Sequence, residues 1–364
     1  MEADWAIVGG GVVGLSVAYG LVRRGHRVLV LDGSDADFRA SRGNFGLIWV
    51  QSKGLAEPAY ARWTRASAAL WKDFAAELSA VSGADLSLSQ RGGYEFFLDE
   101  GALELQARRY DRLKQELGGD YPYQVLGHNA LKREEPAIGP RVAGALFHDE
   151  DGHVNPLALL RTLASEVRRC GGTVVNGVTV TDVAQSGGFT LRTADGRSFR
   201  AGRVVMAAGL GAATLGPRLG FRAPVRPQRG QVLITERMPP LLSRPSGTLR
   251  QVNEGGIQIG ASNEEVGLDD GTSASVSARI AAEAIAVLPD LARARVVRSW
   301  GALRIMSPDG LPIYQQSAAM PGAFMVTCHS GITLAAAHAL RLPAWLEGRA
   351  DAPDLEVFRE DRFS

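Results

Sequence analysis

A chain of 364 residues, 45% hydrophobic and 22% charged, has the size and composition of a soluble globular protein with a large core and room for two domains. Forty Lys and Arg residues against thirty-nine Asp and Glu leave a formal charge of +1, which excludes the basic footprint of a nucleic-acid or anionic-membrane binder. Two widely separated cysteines, Cys170 and Cys328, and six histidines without ligand spacing argue against a zinc site or iron–sulfur cluster held by this chain alone, and for a reducing, cytoplasmic compartment.

The acidic start, Met1 to Asp4, leads straight into an apolar run, so no signal peptide is expected, and no apolar stretch is long enough to span a bilayer. Trp5 to Val8 reads as a buried strand, Gly9-Gly10-Gly11-Val12-Val13-Gly14 as a tight turn, and Val12 to Arg24 as a helix ending at Gly25. A second strand, His26 to Leu31, stops on Asp32. This is a β-turn-α-β unit with the G-x-G-x-x-G spacing and an acid roughly twenty residues on. Gly9 permits the turn, Gly11 lets a pyrophosphate approach the backbone, and Gly14 lets the helix pack on the strand. The helix N-terminus offers N–H groups and a positive dipole end to phosphates. Asp32 can accept from a ribose diol and would repel a 2′-phosphate, so NAD or FAD is favoured over NADP. The motif does not choose between those two.

A polar stretch, Gly33 to Gly46, follows and ends in Ser41-Arg42-Gly43-Asn44-Phe45-Gly46; irregular loops of this kind often carry function. Tyr60 to Val81 is helical, Gly92 to Leu98 has strand periodicity, and Leu103 to Leu117 is a charged amphipathic helix. Asn155-Pro156 then caps and starts a helix over Leu157 to Cys170. Thr173 to Val183 reads as one strand, Phe189 to Thr193 with Asp195-Gly196 as a hairpin, and Arg203 to Gly209 as a buried strand closing on small residues, where a ligand or another backbone can come close. Pro224 to Gln231 reads as a crossing between domains. Strands at Val232 to Thr235, Leu249 to Val252 and Ile257 to Ala261, a helix over Ser275 to Leu288, a strand at Ala323 to Thr327 and a helix opened by Ser330-Gly331-Ile332-Thr333-Leu334 complete the chain. The expected fold class is α/β. A discontinuous Rossmann-like domain (residues 1–90, 145–224 and 300–364) carries an inserted α+β substrate domain built on an antiparallel sheet (residues 91–144 and 225–299).

Taken together, GGGVVG with Asp32, the VVMAAG strand, the PVRPQRGQ crossing, GALRIMSPDGLPIY and CHSGITLAAAHA resemble the D-amino-acid oxidase and glycine oxidase family of FAD enzymes across essentially the whole chain. Within that family, SRGNFGLIWVQSKG and CHSGITLAAAHA look most like β subunits of heteromeric amine dehydrogenases, a group that includes D-hydroxyproline dehydrogenase, opine oxidase and hydrogen cyanide synthase. The resemblance implies extended FAD. Gly9, Gly11, Val12, Val13 and Gly14 would hold the pyrophosphate and Asp32 with Gly33 the adenosine ribose. Ser41, Arg42 and Gly46 would sit near the middle of the cofactor, and Val180, Ala208 and Gly209 beside its adenosine half. The amides of Gly331, Ile332 and Thr333 would face the pyrimidine end of the flavin, where reduction places negative charge.

The resemblance also assigns Arg304 to the substrate carboxylate, against the alternative of an interdomain ion pair; its fork suits bidentate pairing. Where glycine oxidase relatives have an aromatic hydroxyl, this chain has Arg250 and Gln251, which either bond a substrate hydroxyl or form a solvated strand face. Asn44 is a ligand contact or a turn residue, and His329 a structural histidine or a proton carrier. The implied reaction is hydride transfer from the C–N carbon of a small amino acid, with cis-4-hydroxy-D-proline the favoured substrate. Electrons would pass to partner subunits, a second flavoprotein and a small iron–sulfur subunit. The alternatives are opine oxidation, glycine oxidation to cyanide, a self-sufficient oxidase, a nicotinamide dehydrogenase and a non-catalytic scaffold.

Overall fold

The computed structural model describes residues 2–33 and 40–363; positions 34–39 of the Gly33 to Gly46 loop lie outside the described residues. The first strand, Glu2–Val8, is buried over its last four residues and sits in the middle of an eight-stranded sheet. Val28–Leu31 pairs parallel on one side of it and Ser198–Met206 parallel on the other. Thr173–Val175 and Ala323–Thr327 extend the parallel part outward. The chain therefore leaves the first strand in one direction and returns on its other flank. That reversal opens a crevice at the carboxyl ends of the strands, the usual ligand position in open α/β sheets.

The helix Val12–Arg23 is apolar nearly all round, because it is covered on several sides by other elements. It packs against the helices Pro156–Arg169 and Ala335–Leu340. The helix Pro156–Arg169 starts as its sequence requires, with Asn155 Oδ1 accepting from the backbone of Leu157 and Ala158 and proline in the first turn.

The second layer is a four-stranded antiparallel sheet in the order Leu249–Gln251, Gly256–Gly260, Arg226–Arg237, Val296–Met306. A three-stranded sheet, Gly93–Phe97, Gly144–His148 and Tyr123–Gly127, stands beside it. Tyr94, Leu131, Ile138, Leu233, Ile257, Ile259 and Ile280 form one core between these sheets and the helix Ala274–Val287.

Three sequence expectations are corrected. Thr173 to Val183 is two strands, because Asn176-Gly177 breaks the run: Gly177 is left-handed (φ 71°), and its N–H and that of Val178 bond the carbonyls of Gly33 and Asp32. The crossing at Pro224 to Gln231 is already strand from Arg226 onward. Pro227 is tolerated there because pairing with Gly256–Gly260 begins only at Val232. Ser330 to Leu334 forms turns, and the regular helix starts at Ala335.

Candidate functional site

A cavity of about 670 Å³ occupies the crevice. Its floor is the backbone of Gly9, Gly10 and Gly11 with Val12 and Val13, and its sides include Asp32, Ser41, Arg42, Ala207, Ala208, Gly209 and Gly331. The floor is bare for a steric reason. Gly9 has φ 108°, and a Cβ on it would lie 2.4 Å from the Ala207 carbonyl oxygen. A Cβ on Gly14 would lie 1.9 Å from the Gly9 carbonyl oxygen, so Gly14 sets how closely the helix approaches the turn. Asp32 Oδ1 accepts from Gly10 N–H at 2.8 Å, and Ser41 Oγ accepts from Val12 N–H at 3.0 Å, tying the loop to the first helical turn.

The cavity continues past Ala40, Asn44, Leu303, Ile305 and His329 into a chamber of about 410 Å³. One wall is the antiparallel sheet. Trp300, Ala302 and Arg304 lie at two-residue intervals on one strand and so share a face, opposite Val232, Gly230 and Gln228 on the next. The guanidinium of Arg304 lies over Gly230, where a Cβ would be 2.8 Å from Nη2. Its Nη1 donates to the Ser262 carbonyl at 2.9 Å and to Asn263 Oδ1 at 3.0 Å. No Asp or Glu among the described residues forms an ion pair with it. Burial lowers its pKa from the ordinary value, yet a guanidinium remains a cation.

Lys53 enters the same chamber. Its Nζ donates to His329 Nε2 at 3.0 Å and to Ser330 Oγ at 2.9 Å, and Ser330 Oγ meets the Tyr60 hydroxyl at 2.7 Å. Burial holds His329 well below the usual histidine range, so the ring is neutral. Because an ammonium only donates, Nε2 is the accepting nitrogen. Burial, assisted by the charge of Arg304, pushes Lys53 down to about 8.

The structure gathers Arg304, Asn44, His329, Ile332 and Thr333 around the chamber, with Gly9, Gly11, Val12, Val13, Asp32, Ser41, Arg42, Ala208, Gly209 and Gly331 around the crevice. Asn44 also closes its own turn, accepting from Gly46 N–H. Other expected residues lie elsewhere. Gln251 points away from the chamber and staples a loop: its Oε1 accepts from Leu241 and Leu242, and its Nε2 donates to the Pro239 and Gly255 carbonyls. Arg250, its neighbour on the strand, faces the other way by strand alternation. It is buried, bonds Gln258 and the Val154 carbonyl, and lines an adjoining polar cavity of about 700 Å³ with Arg298 and Asp270. Gly46 packs on Val154 and Arg250, and Gly33 uses its carbonyl on Gly177. Val180 lies beyond the strand break, and Val174 and Asn176 line the crevice in its stead.

Residues 4–344 match the DAO family model of FAD dependent oxidoreductases. The chain belongs to that family. Two opine oxidase B subunits are similar to it over its full length and 98% of theirs, that of Rhizobium meliloti at 42% identity and that of Agrobacterium tumefaciens (strain Ach5) at 41%. Glycine oxidase from Geobacillus kaustophilus shares the fold at a TM-score of 0.91 and 28% identity, over 98% of each chain. FAD is the cofactor of this family member, and the crevice fits it: a side-chain-free turn at a helix N-terminus, an acid at the end of the second strand, and a cavity running on to the Arg304 chamber.

Sequence reasoning passed over Lys53, Trp49 and Gln228, which all line the chamber. Lys53 sits in a segment with no regular periodicity, and only the tertiary fold brings it to His329, so no local signal marks it. One expectation for the crevice follows. Asp32→Ala should weaken FAD binding about 10-fold to 100-fold, the scale of a lost hydrogen bond to a charged group. Titration of the apoprotein with FAD, followed by flavin fluorescence, measures it.

Proposed function

We propose that this flavoprotein oxidises the CH–NH bond of an amino acid whose carboxylate pairs with Arg304, as the amino-acid-oxidising subunit of a heteromeric dehydrogenase. The observation that carries this reading is a half-buried guanidinium that forms no ion pair with an Asp or Glu among the described residues, facing a chamber that opens onto the cofactor crevice. In this reading Gly9, Gly11 and the amides of Val12 and Val13 hold the pyrophosphate, Asp32 the adenosine ribose, and Gly331 to Thr333 the pyrimidine end of the flavin. FAD supplies the hydride acceptor. The chain's own residues bind and orient the substrate: Arg304 fixes the carboxylate, and Leu47, Trp49, Ile305 and Met306 keep water from the reacting carbon.

Among finer readings, an opine-type substrate, an amino acid whose nitrogen carries a carboxyalkyl group, is favoured. Two subunits named for opine oxidation are similar to this chain over its full length at 41–42% identity. The chamber also shares Gly43, Asn44, Ala302 and Leu303 with the adjoining polar cavity, which leaves room for a second arm. Cis-4-hydroxy-D-proline is the second reading, supported by the compactness of the chamber itself. Its case is weakened by Gln251, one of the two residues that could have bonded a substrate hydroxyl, which bonds its own loop instead. Partner subunits carrying a second flavin and an iron–sulfur centre would take the electrons onward, since two cysteines cannot hold a cluster here. The test is an anaerobic titration of the purified holoprotein with octopine, nopaline, cis-4-hydroxy-D-proline, D-proline and glycine, followed by admission of air. Bleaching by the opines with slow recovery supports the leading reading. Bleaching by the hydroxyproline alone selects the second, and fast recovery in air would make the chain a self-sufficient oxidase.

A further inference from the structure

An amino acid arrives in neutral water with its nitrogen protonated, and an ammonium has no lone pair to form the C=N bond as hydride leaves carbon. The proton must go before the hydride does. Among the described residues lining the 410 Å³ chamber there is no Asp, Glu, Tyr or Cys. Arg304 cannot give up its proton near neutrality. His329 keeps its Nε2 lone pair on Lys53 and is held neutral by burial, so it is a poor acceptor. Lys53 is the remaining titratable group among the described residues of the lining.

We propose that Lys53 is the base that receives the proton of the substrate's amino group. In the step, neutral Lys53 Nζ takes H⁺ from the substrate nitrogen; an N–H bond forms on lysine, one breaks on the substrate, and the lone pair left on nitrogen is the one that becomes the C=N bond. The product lysinium is already housed. It donates to His329 Nε2 and Ser330 Oγ, and the Tyr60 ring lies 5.8 Å from Nζ. The charged and titratable groups around it are consistent with an ammonium that is easily discharged. Arg304 repels it from the sheet, and no carboxylate among the described residues forms an ion pair with it. Asp151, itself pushed up to about 7 by burial and tied to Val50 and Gln51, adds a weak attraction. Cys328 is pushed up to about 12 and stays a thiol. Lysines desolvated in this way serve as general bases.

This inference rests on the Arg304 chamber being the substrate site, and the experiment separates the two. The holoprotein is titrated calorimetrically with 2-methylproline, a secondary amino acid with no α-hydrogen to lose, in buffers of different ionisation enthalpy, to count protons released on binding. Wild type should release about one proton at pH 7, falling toward zero by pH 9 as Lys53 becomes free to accept it, whereas Lys53→Met, which has no acceptor, should give a count that does not change over that range. Lys53→Met and Lys53→Arg should both slow anaerobic flavin bleaching by about 10²-fold to 10⁴-fold, and the inflection near pH 8 should vanish. A Lys53→Arg variant with wild-type rate would show that charge alone matters and overturn the proposal, as would pH-independent proton release in wild type, which needs no variant to fold. Cyclopentanecarboxylate, which has no amine, serves as the control: if it fails to bind wild type in an Arg304-dependent way, the chamber reading itself fails.

Discussion

Replacing Arg304 by methionine should leave FAD bound and abolish tight substrate binding. The guanidinium bonds Ser262 and Asn263 and lies over Gly230, and among the described residues it forms no salt bridge that the variant would break. The substrate carboxylate, however, would enter a desolvated chamber without its cation. Truncating one partner of a buried, hydrogen-bonded charge pair costs about 3 kcal/mol or more, which is about 150-fold in the dissociation constant. Arg304→Lys should recover part of this, since it restores the charge without the fork. The measurement is the concentration dependence of flavin bleaching, together with the absorbance ratio that reports FAD content. Normal binding by Arg304→Met would remove the carboxylate assignment.

Gly14→Ala should have a comparably large effect by a different route. The added methyl would start 1.9 Å from the Gly9 carbonyl oxygen, a backbone atom that cannot swing away. The first helix would have to lift off the glycine turn and carry the amides of Val12 and Val13 out of line with the crevice. Forced overpacking of a well-packed contact costs about 1 to 3 kcal/mol, and a clash with rigid backbone lies at the upper end. The variant should therefore purify largely colourless and unfold at lower denaturant concentration. A fully yellow Gly14→Ala protein of wild-type stability would mean that the turn is not the cofactor cradle.

The parts of this fold that were legible in the sequence are those fixed by local rules. The glycine turn, the Asn155-Pro156 helix start and the strand closing on Ala207-Ala208 each carry their reason within a few residues. The role of Arg304 was legible only through family resemblance, because nothing local distinguishes that arginine from the many on the surface, and its strand, Val296–Met306, was not read at all. The errors have equally physical origins. Arg250 and Gln251 are adjacent in sequence, so strand alternation sends them to opposite faces, and a reading that pairs them must lose one. Gly46 reads as a cofactor contact, yet the Val154 carbonyl and the Arg250 guanidinium leave no room there for a Cβ, whereas Gly14 has the packing role that its place in the motif implies. Lys53 was invisible because its partners, His329 and Ser330, are 276 and 277 residues away in the chain.

In the proposed function the chamber holds an amino acid by its carboxylate beside the bound flavin, which would accept hydride from the carbon next to nitrogen. The most direct test is anaerobic rapid mixing of the holoprotein with octopine, unlabelled and deuterated at the carbon to be oxidised, with flavin absorbance recorded in wild type and Arg304→Met. Bleaching in wild type that slows several-fold on deuteration, and is lost at the same substrate concentration in the variant, is the predicted result. Bleaching insensitive to deuteration, or undiminished in Arg304→Met, would contradict it.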